Sequence, residues 1–267
     1  MPDELPVDML VPGAVDCNLD KVLAHYHEFG YARLGVVCTD DGLEALRIRS
    51  DDIMLGRVRY DGMFFQLDTP TQRYEDLVFG RGYEGPSLAY RKVEKLERDP
   101  LFLAWLGNRL FERVCRRVYS TDAVQLYRAV LFSKMANGGS NLPWHQDAGG
   151  FWGLSDDPKL QIWTALDDAS EDAGCVEVVP GSHRAGLVTP LGGVVPKVHA
   201  ERKGVEQTVI KLPARAGEAL LIHNYVWHRS AQNTTPNMRR GFTVCYLDGK
   251  TRCIRKKRAP REFVRVF

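Results

Sequence analysis

Leu142-Pro143-Trp144-His145-Gln146-Asp147 sets a histidine and an aspartate two positions apart. On or just after a β-strand both side chains point to one face, because strand side chains alternate with period two. Two such ligands fill neighbouring corners of a metal's coordination sphere. A third from far along the chain would complete a two-His, one-carboxylate face with other positions open, the arrangement suited to non-haem Fe(II) and O2 chemistry. A His-x-Asp pair is also an ordinary salt bridge or turn, so its meaning depends on what the rest of the chain supplies.

Outward from the hexapeptide the chain reads as strands. Residues 124–135 are rich in β-formers and lead through Ala136-Asn137-Gly138-Gly139-Ser140 into the motif. Downstream, 160–166, 175–179, 205–212, 219–223 and 238–247 are apolar runs separated by Gly/Pro turns, and 183–205 reads as a loop. Many short strands at regular spacing argue for a β-sandwich or barrel. Helical spacing is confined to the first 120 residues: 19–29, then 40–54 after a strand at 31–37, then one amphipathic helix at 101–118 opened by Pro100. The expected class is α+β, mainly β, with N-terminal helices packed on a C-terminal β-core. Residues 57–90 show little periodicity, as in a functional loop or lid. With no repeat and no low-complexity linker, the expectation is a single domain over 1–267. It comprises an arm at about 1–18, a β-core at about 120–250 and a basic segment at 250–267.

Composition excludes several partner classes. The chain has 267 residues, 44% hydrophobic, enough for a sizeable core. Lys+Arg number 36 against 34 Asp+Glu. From Lys250 onward there are eight basic residues and one acid, about +7, which leaves about −5 for the remainder of a chain at +2. Such a tail reads as a solvated terminal edge. No basic stripe interleaved with aromatics runs through the body, so nucleic acid is not the expected partner. Six cysteines are scattered without a Cys-x-x-Cys pair, the acidic, Pro-containing first ten residues are not expected to act as a signal peptide, and no uncharged apolar run reaches membrane-spanning length. A soluble cytoplasmic protein with reduced thiols is expected. The sequence does not bear on oligomeric state.

The third ligand must come from the remaining histidines. His25 and His27 lie on one helix two positions apart and do not share a face. His183 follows Pro-Gly-Ser and reads as a turn cap, and His199 sits in a polar loop. His223 and His228 remain. Arg239 stands eleven residues past His228 on the next apolar strand, with no acid close in sequence. A buried guanidinium needs an anion. A carboxylate co-substrate would satisfy it. Arg240, the neighbouring alternative, would point to the opposite face.

In order, Trp144–Asp147, the Ile162–Asp168 stretch ending Ala-Leu-Asp-Asp, Gly174-Cys175-Val176-Glu177-Val178-Val179-Pro180-Gly181-Ser182-His183, Gly217–His223, and His228-Arg229-Ser230-Ala231-Gln232-Asn233 with Arg239 form a signature. It resembles that of the phytanoyl-CoA dioxygenase family, a branch of the Fe(II)/2-oxoglutarate oxygenases, over about residues 19–250. Glu218 stands for the family's Asp and Arg229 for its frequent Gly. The resemblance implies a double-stranded β-helix of the jelly-roll, cupin-like kind, with Fe(II), 2-oxoglutarate and O2. By position it makes His145, Asp147 and His228 the iron ligands and Arg239 the partner of the distal carboxylate of 2-oxoglutarate. Gln161 and Trp163 fall on the strand lining the co-substrate pocket, and His223 becomes structural. Halogenating relatives carry a small residue in place of the carboxylate, so Asp147 implies hydroxylation or another oxidation of an unactivated C–H, with 2-oxoglutarate decarboxylated to succinate. The substrate is expected to be a small molecule. Arg128 before the motif, Phe151 and Trp152 after it, and residues of 57–90 are placed to line its pocket; Arg128 suggests a negatively charged or carboxylate-bearing substrate, with a structural ion pair as the alternative.

Two rival readings remain on the sequence. A non-catalytic β-barrel binding a small ligand leaves the triad and Arg239 without purpose. A zinc hydrolase with two His and one carboxylate leaves Arg239 unexplained and lacks an obvious general base.

Overall fold

The computed structural model describes residues 9–14, 18–202, 204–256 and 261–267. Most of the expected N-terminal arm therefore lies outside the described residues, as do Cys17, Lys257 and Arg258. The part that is described is packed: Leu10 bridges Cys38, and Met9 is buried.

Asn18 accepts from the backbone N–H of Asp20 and starts helix α1 (Leu19–Phe29). Gly30 ends it at φ 82°, and a Cβ there would stand 2.5 Å from His183 Nδ1. Glycine meets both demands. Strand β1 (Tyr31–Val36) follows, then α2 (Asp40–Met54), whose cap Thr39 accepts from the Gly42 N–H. The stretch expected as loop over 57–90 contains β2 (Phe64–Leu67) and runs into β3 (Tyr90–Glu94). These two strands pair with each other, and β2 is too short to show a period of its own. The single helix expected at 101–118 is two helices, α3 (Pro100–Leu106) and α4 (Arg109–Tyr119). Gly107 closes the first. The Asn108 side chain accepts from the Phe111 N–H and so begins a second helix where the apolar pattern alone runs on.

The β-core comprises β4 (Val124–Lys134), β5 (Leu142–Gln146), β6 (Leu160–Ala165), β7 (Val176–Val178), β8 (Gly193–Val194), β9 (Ile210–Leu212), β10 (Glu218–Ile222), β11 (His228–Ser230), β12 (Arg239–Asp248) and β13 (Val264–Arg265). The expected loop at 183–205 holds β8 and a short helix α5 (Lys197–Arg202). The strand expected at 205–212 is only its last three residues, because 205–207 close a 3-10 turn, with the Thr208 N–H donating to Val205.

Two antiparallel sheets result. The larger has the order β1-β10-β6-β12-β4-β3-β2, with β13 also on β4. The smaller has the order β8-β5-β11-β7-β9. Period two divides the central strands cleanly. Phe242, Val244 and Tyr246 of β12 and Leu160 and Ile162 of β6 join Phe102, Trp105 and Phe111 of the helices in the main core. The alternate residues, Arg239, Gly241 and Thr243 of β12 with Gln161 and Trp163 of β6, face the other way, toward the smaller sheet. Trp163, Leu220 and Ile222 meet Val176, Val178 and Leu212 between the sheets. This is the jelly-roll architecture, mainly β with helices on one face. Among the described residues no helix is long and apolar enough to cross a membrane.

Candidate metal centre

β5 and β11 run side by side in the smaller sheet with His145 directly opposite His228. Opposed residues of an antiparallel pair share a face, and the two rings stand 3.9 Å apart, centroid to centroid. Asp147 lies one residue past the end of β5. Asn224 clamps it from both sides: the Asp147 N–H donates to the Asn224 carbonyl (2.9 Å), and Asn224 Nδ2 donates to the Asp147 carbonyl (2.8 Å). One ligand atom from each of His145, Asp147 and His228 lies within 4.8 Å of the other two. The structure thus brings His228, not His223, to the pair. His223 sits against His183 and Tyr26, and its Nδ1 accepts from the Tyr225 N–H.

The tautomers suit a metal. His145 Nδ1 lies 2.9 Å from the Pro143 carbonyl, and His228 Nδ1 lies 2.9 Å from that of Val226. A carbonyl can only accept, so each Nδ1 carries a hydrogen and Nε2 is the ring nitrogen left to face a metal. Burial, with His228 alongside, pushes His145 down to about 4, so the ring is neutral near pH 7. Burial acts to raise the pKa of Asp147. The Arg128 guanidinium and the two histidines outweigh it and hold the carboxyl well below the usual range. Its Oδ2 accepts from Gln161 Nε2 at 2.9 Å and lies 3.1 Å from Arg128 Nη2. Two imidazole Nε2 atoms and an ionised carboxylate on one face fit a divalent iron.

Arg239 occupies the same cleft and is 3% exposed. Its Nη2 donates to the Gly174 carbonyl (2.7 Å), its guanidinium lies 5.2 Å from the Trp163 ring, and its buried Nε has no partner. Asp167, the acid whose field reaches it, is held by Arg240 at 2.8 Å on the opposite face, where Arg240 also meets Asp51. Burial therefore pushes Arg239 down to about 10. Lys134 stands directly across from Arg239 on β4, also buried, its Nζ donating to the Ser140 carbonyl at 2.7 Å. Burial, then Arg239 and Arg91, lower its pKa strongly. Two adjacent buried basic groups with neutral hydrogen-bond partners fit a carboxylate ligand.

The cleft measures about 1360 Å³. All nine residues expected at the site line it. Gln161 reaches Asp147 rather than standing free in the pocket, Trp163 lies beneath Arg239, and Trp152 lies beneath Arg128 at 4.6 Å. Phe151 is 72% exposed at the mouth. Sequence reasoning missed Lys134, Arg91, Lys92 and Asn224. Lys134 was within reach: it shares the alternation of Arg128 on β4, so assigning Arg128 to the pocket face assigns Lys134 too. Asn224 acts through its backbone carbonyl and its Nδ2, which no spacing announces.

The sequence profile described as phytanoyl-CoA dioxygenase (PhyH) matches residues 26–241. The chain belongs to the phytanoyl-CoA dioxygenase family. The phytanoyl-CoA dioxygenase domain-containing protein 1 of Danio rerio is 30% identical over 159 residues, which are 57% of this chain and 54% of the relative, about half its length. Phytanoyl-CoA dioxygenase 1 of Oryza sativa subsp. japonica is 24% identical over 253 residues, 86% of this chain and 89% of the relative. Among solved structures, EctD from S. alaskensis, crystallised with 2-oxoglutarate and 5-hydroxyectoine, superposes with a TM-score of 0.69 at 18% identity. That match covers 96% of this chain and 87% of EctD, and at such identity it speaks to the fold. The family's signature thus rests here on a jelly roll whose smaller sheet carries His145 and His228, with Asp147 just past the end of β5.

Proposed function

We propose that this member of the phytanoyl-CoA dioxygenase family is an Fe(II)/2-oxoglutarate-dependent oxygenase that oxidises an unactivated C–H of a small molecule. The carrying observation is the coincidence, in one cleft, of a three-ligand face and a buried guanidinium that lacks an acid of its own. His145, Asp147 and His228 would hold the iron. Bound there with 2-oxoglutarate and O2, it supplies the oxidising power released when 2-oxoglutarate is decarboxylated to succinate. The chain's own residues do the rest. The Pro143 and Val226 carbonyls fix the imidazole tautomers. Gln161, Arg128 and Asn224 fix Asp147. Arg239 over Trp163, with Lys134 opposite, is placed to take the distal carboxylate of 2-oxoglutarate. With a carboxylate at Asp147 the protein leaves no vacancy for a halide, so hydroxylation or a related oxidation is the expected outcome.

We read the chain as one oxygenase domain working in the cytoplasm, where its thiols stay reduced. Cys38, Cys115, Cys175 and Cys245 are buried and free. The experiment is spectroscopic. Anaerobic addition of 2-oxoglutarate to the Fe(II)-loaded protein is expected to give a weak visible charge-transfer band, and admission of air to give succinate. Asp147→Ala is expected to abolish both. A wild-type protein that binds Fe(II) but shows neither signal is a binding protein instead, and wild-type succinate formation by Asp147→Ala would sink the ligand assignment.

A further inference from the structure

We infer that the substrate is an organic carboxylate with an apolar body, and that Arg128 recognises the carboxylate; this rests on the oxygenase reading above. Arg128 sits on β4, on the face it shares with Lys134, and lines the cleft beside the triad. One amino group reaches Asp147 Oδ2 at 3.1 Å, while its buried Nε has no partner. The contact to Asp147 does not neutralise Arg128 in the working site. Asp147 brings one negative charge, and a divalent metal on two neutral imidazoles claims it. Glu94, the other acid whose field reaches Arg128, is in contact with the Lys92 ammonium. In the ligand-free protein Asp147 and Glu94 together outweigh the burial of Arg128 and keep it charged; once Asp147 serves a metal and Glu94 its Lys92 contact, that buried charge needs another counter-ion. Arg239 and Lys134 are the pair placed for the co-substrate, so the charge left over at Arg128 falls to the substrate.

The guanidinium is also presented as a rigid plane. It lies 4.6 Å above the Trp152 ring, Trp152 stacks on Tyr127 at 4.5 Å and 13°, and Arg261 covers Tyr127 at 4.6 Å. A flat, stacked guanidinium suits bidentate recognition of a planar carboxylate, where a flexible ammonium would not. The mouth of the same cleft has the opposite character. Phe79 is 80% exposed, Phe151 72% and Val194 44%, and all three line it. Grouped apolar side chains at a pocket rim are covered when an apolar ligand fills it. The volume of about 1360 Å³ exceeds that of typical small-ligand pockets, so there is room for a body beyond the carboxylate and for 2-oxoglutarate as well.

The test uses wild-type protein loaded anaerobically with Fe(II) and 2-oxoglutarate. The probes are phenylacetate, 4-phenylbutyrate and 6-phenylhexanoate, each against its uncharged primary amide. Calorimetry reads binding whether or not the charge-transfer band forms, and the band reports separately on the iron and 2-oxoglutarate. At least one acid is expected to bind about tenfold or more tightly than its amide, equivalent to about 1.4 kcal/mol. Arg128→Gln is expected to erase that preference and Arg128→Lys to retain part of it. Amides binding as tightly as acids, no acid binding at all, or an undiminished preference in Arg128→Gln each overturn the inference. Because the acid–amide comparison is made on the wild type, it stands even if a variant fails to fold. A band without acid preference refutes only the role of Arg128; loss of the band itself refutes the oxygenase reading.

Discussion

Arg239→Met removes a charge that the ligand-free protein has no partner for, and it should make that protein more stable while disabling it. The magnitude follows from the guanidinium's surroundings. Burial lowers Arg239 from an ordinary 12.5 to about 10, which corresponds to about 3 kcal/mol against the charged form. The sign is that of a base whose folded pKa is depressed: the cost is present throughout the neutral range and is relieved only as pH rises through about 10. Methionine keeps an unbranched apolar stem against Trp163 but loses the bond to the Gly174 carbonyl, worth about 1 kcal/mol. The net expectation is a gain of about 2 kcal/mol, or roughly 4–8 °C in Tm for a chain of this size. Ligand reverses the order. At 100 times its Kd, 2-oxoglutarate with Mn(II) should stabilise the wild type by about 2.7 kcal/mol and the variant hardly at all. Urea unfolding with and without 2-oxoglutarate measures both quantities. A ligand-free variant less stable than wild type, or one that keeps the 2-oxoglutarate shift, would refute the claim that Arg239 is an uncompensated cation awaiting a carboxylate.

Three further outcomes probe the surroundings. Asp167→Ala strands the buried Arg240 beside Asp51 alone and should cost about 3 kcal/mol in denaturant unfolding, without abolishing 2-oxoglutarate binding, because Arg240 faces away from the cleft. Gly241→Ala would set a Cβ 2.4 Å from Trp163 Nε1; displacement of the indole should cost about 1–3 kcal/mol and weaken 2-oxoglutarate binding by calorimetry. Burial, with His183 and Lys159 nearby, pushes His223 down to about 3. The unfolded chain therefore takes up this proton first as pH falls below about 6.5, and stability drops by up to about 1.4 kcal/mol per pH unit toward pH 3. His223→Gln should flatten that slope in urea titrations between pH 6.5 and 4.

What the chain disclosed in advance and what it withheld divide along one physical line. Short spacings on strands were legible. The two-residue step from His145 to Asp147 and the opposite faces of Arg239 and Arg240 follow from the alternation of side chains, and the structure has them so. A β-sandwich or barrel was legible because the longer strands of the core carry their own apolar runs between Gly/Pro turns, as at β4, β6, β10 and β12; the jelly roll itself followed from the family resemblance. The break at Gly107-Asn108 was harder, since a side-chain cap can restart a helix without interrupting the apolar period. The β2 strand and the 3-10 turn at 205–207 were not legible, for a related reason: segments of three or four residues are defined by what they pair with rather than by their own composition.

The electrostatics of the cleft lie furthest from the sequence. Lys134 and Arg239 are more than a hundred positions apart and meet only because β4 and β12 are neighbours in register. Arg128 looks like half of a simple ion pair until Asp147, nineteen residues further along the chain, is seen to serve the triad as well. A cation's partner can be named from sequence only when both are local. When one acid is shared between a cation and a metal face, the charge left over is a property of the assembled site. That excess is what a carboxylate-bearing ligand would be bound by, and it is why substrate class is better read from the geometry around Arg128 than from the motif that placed the iron.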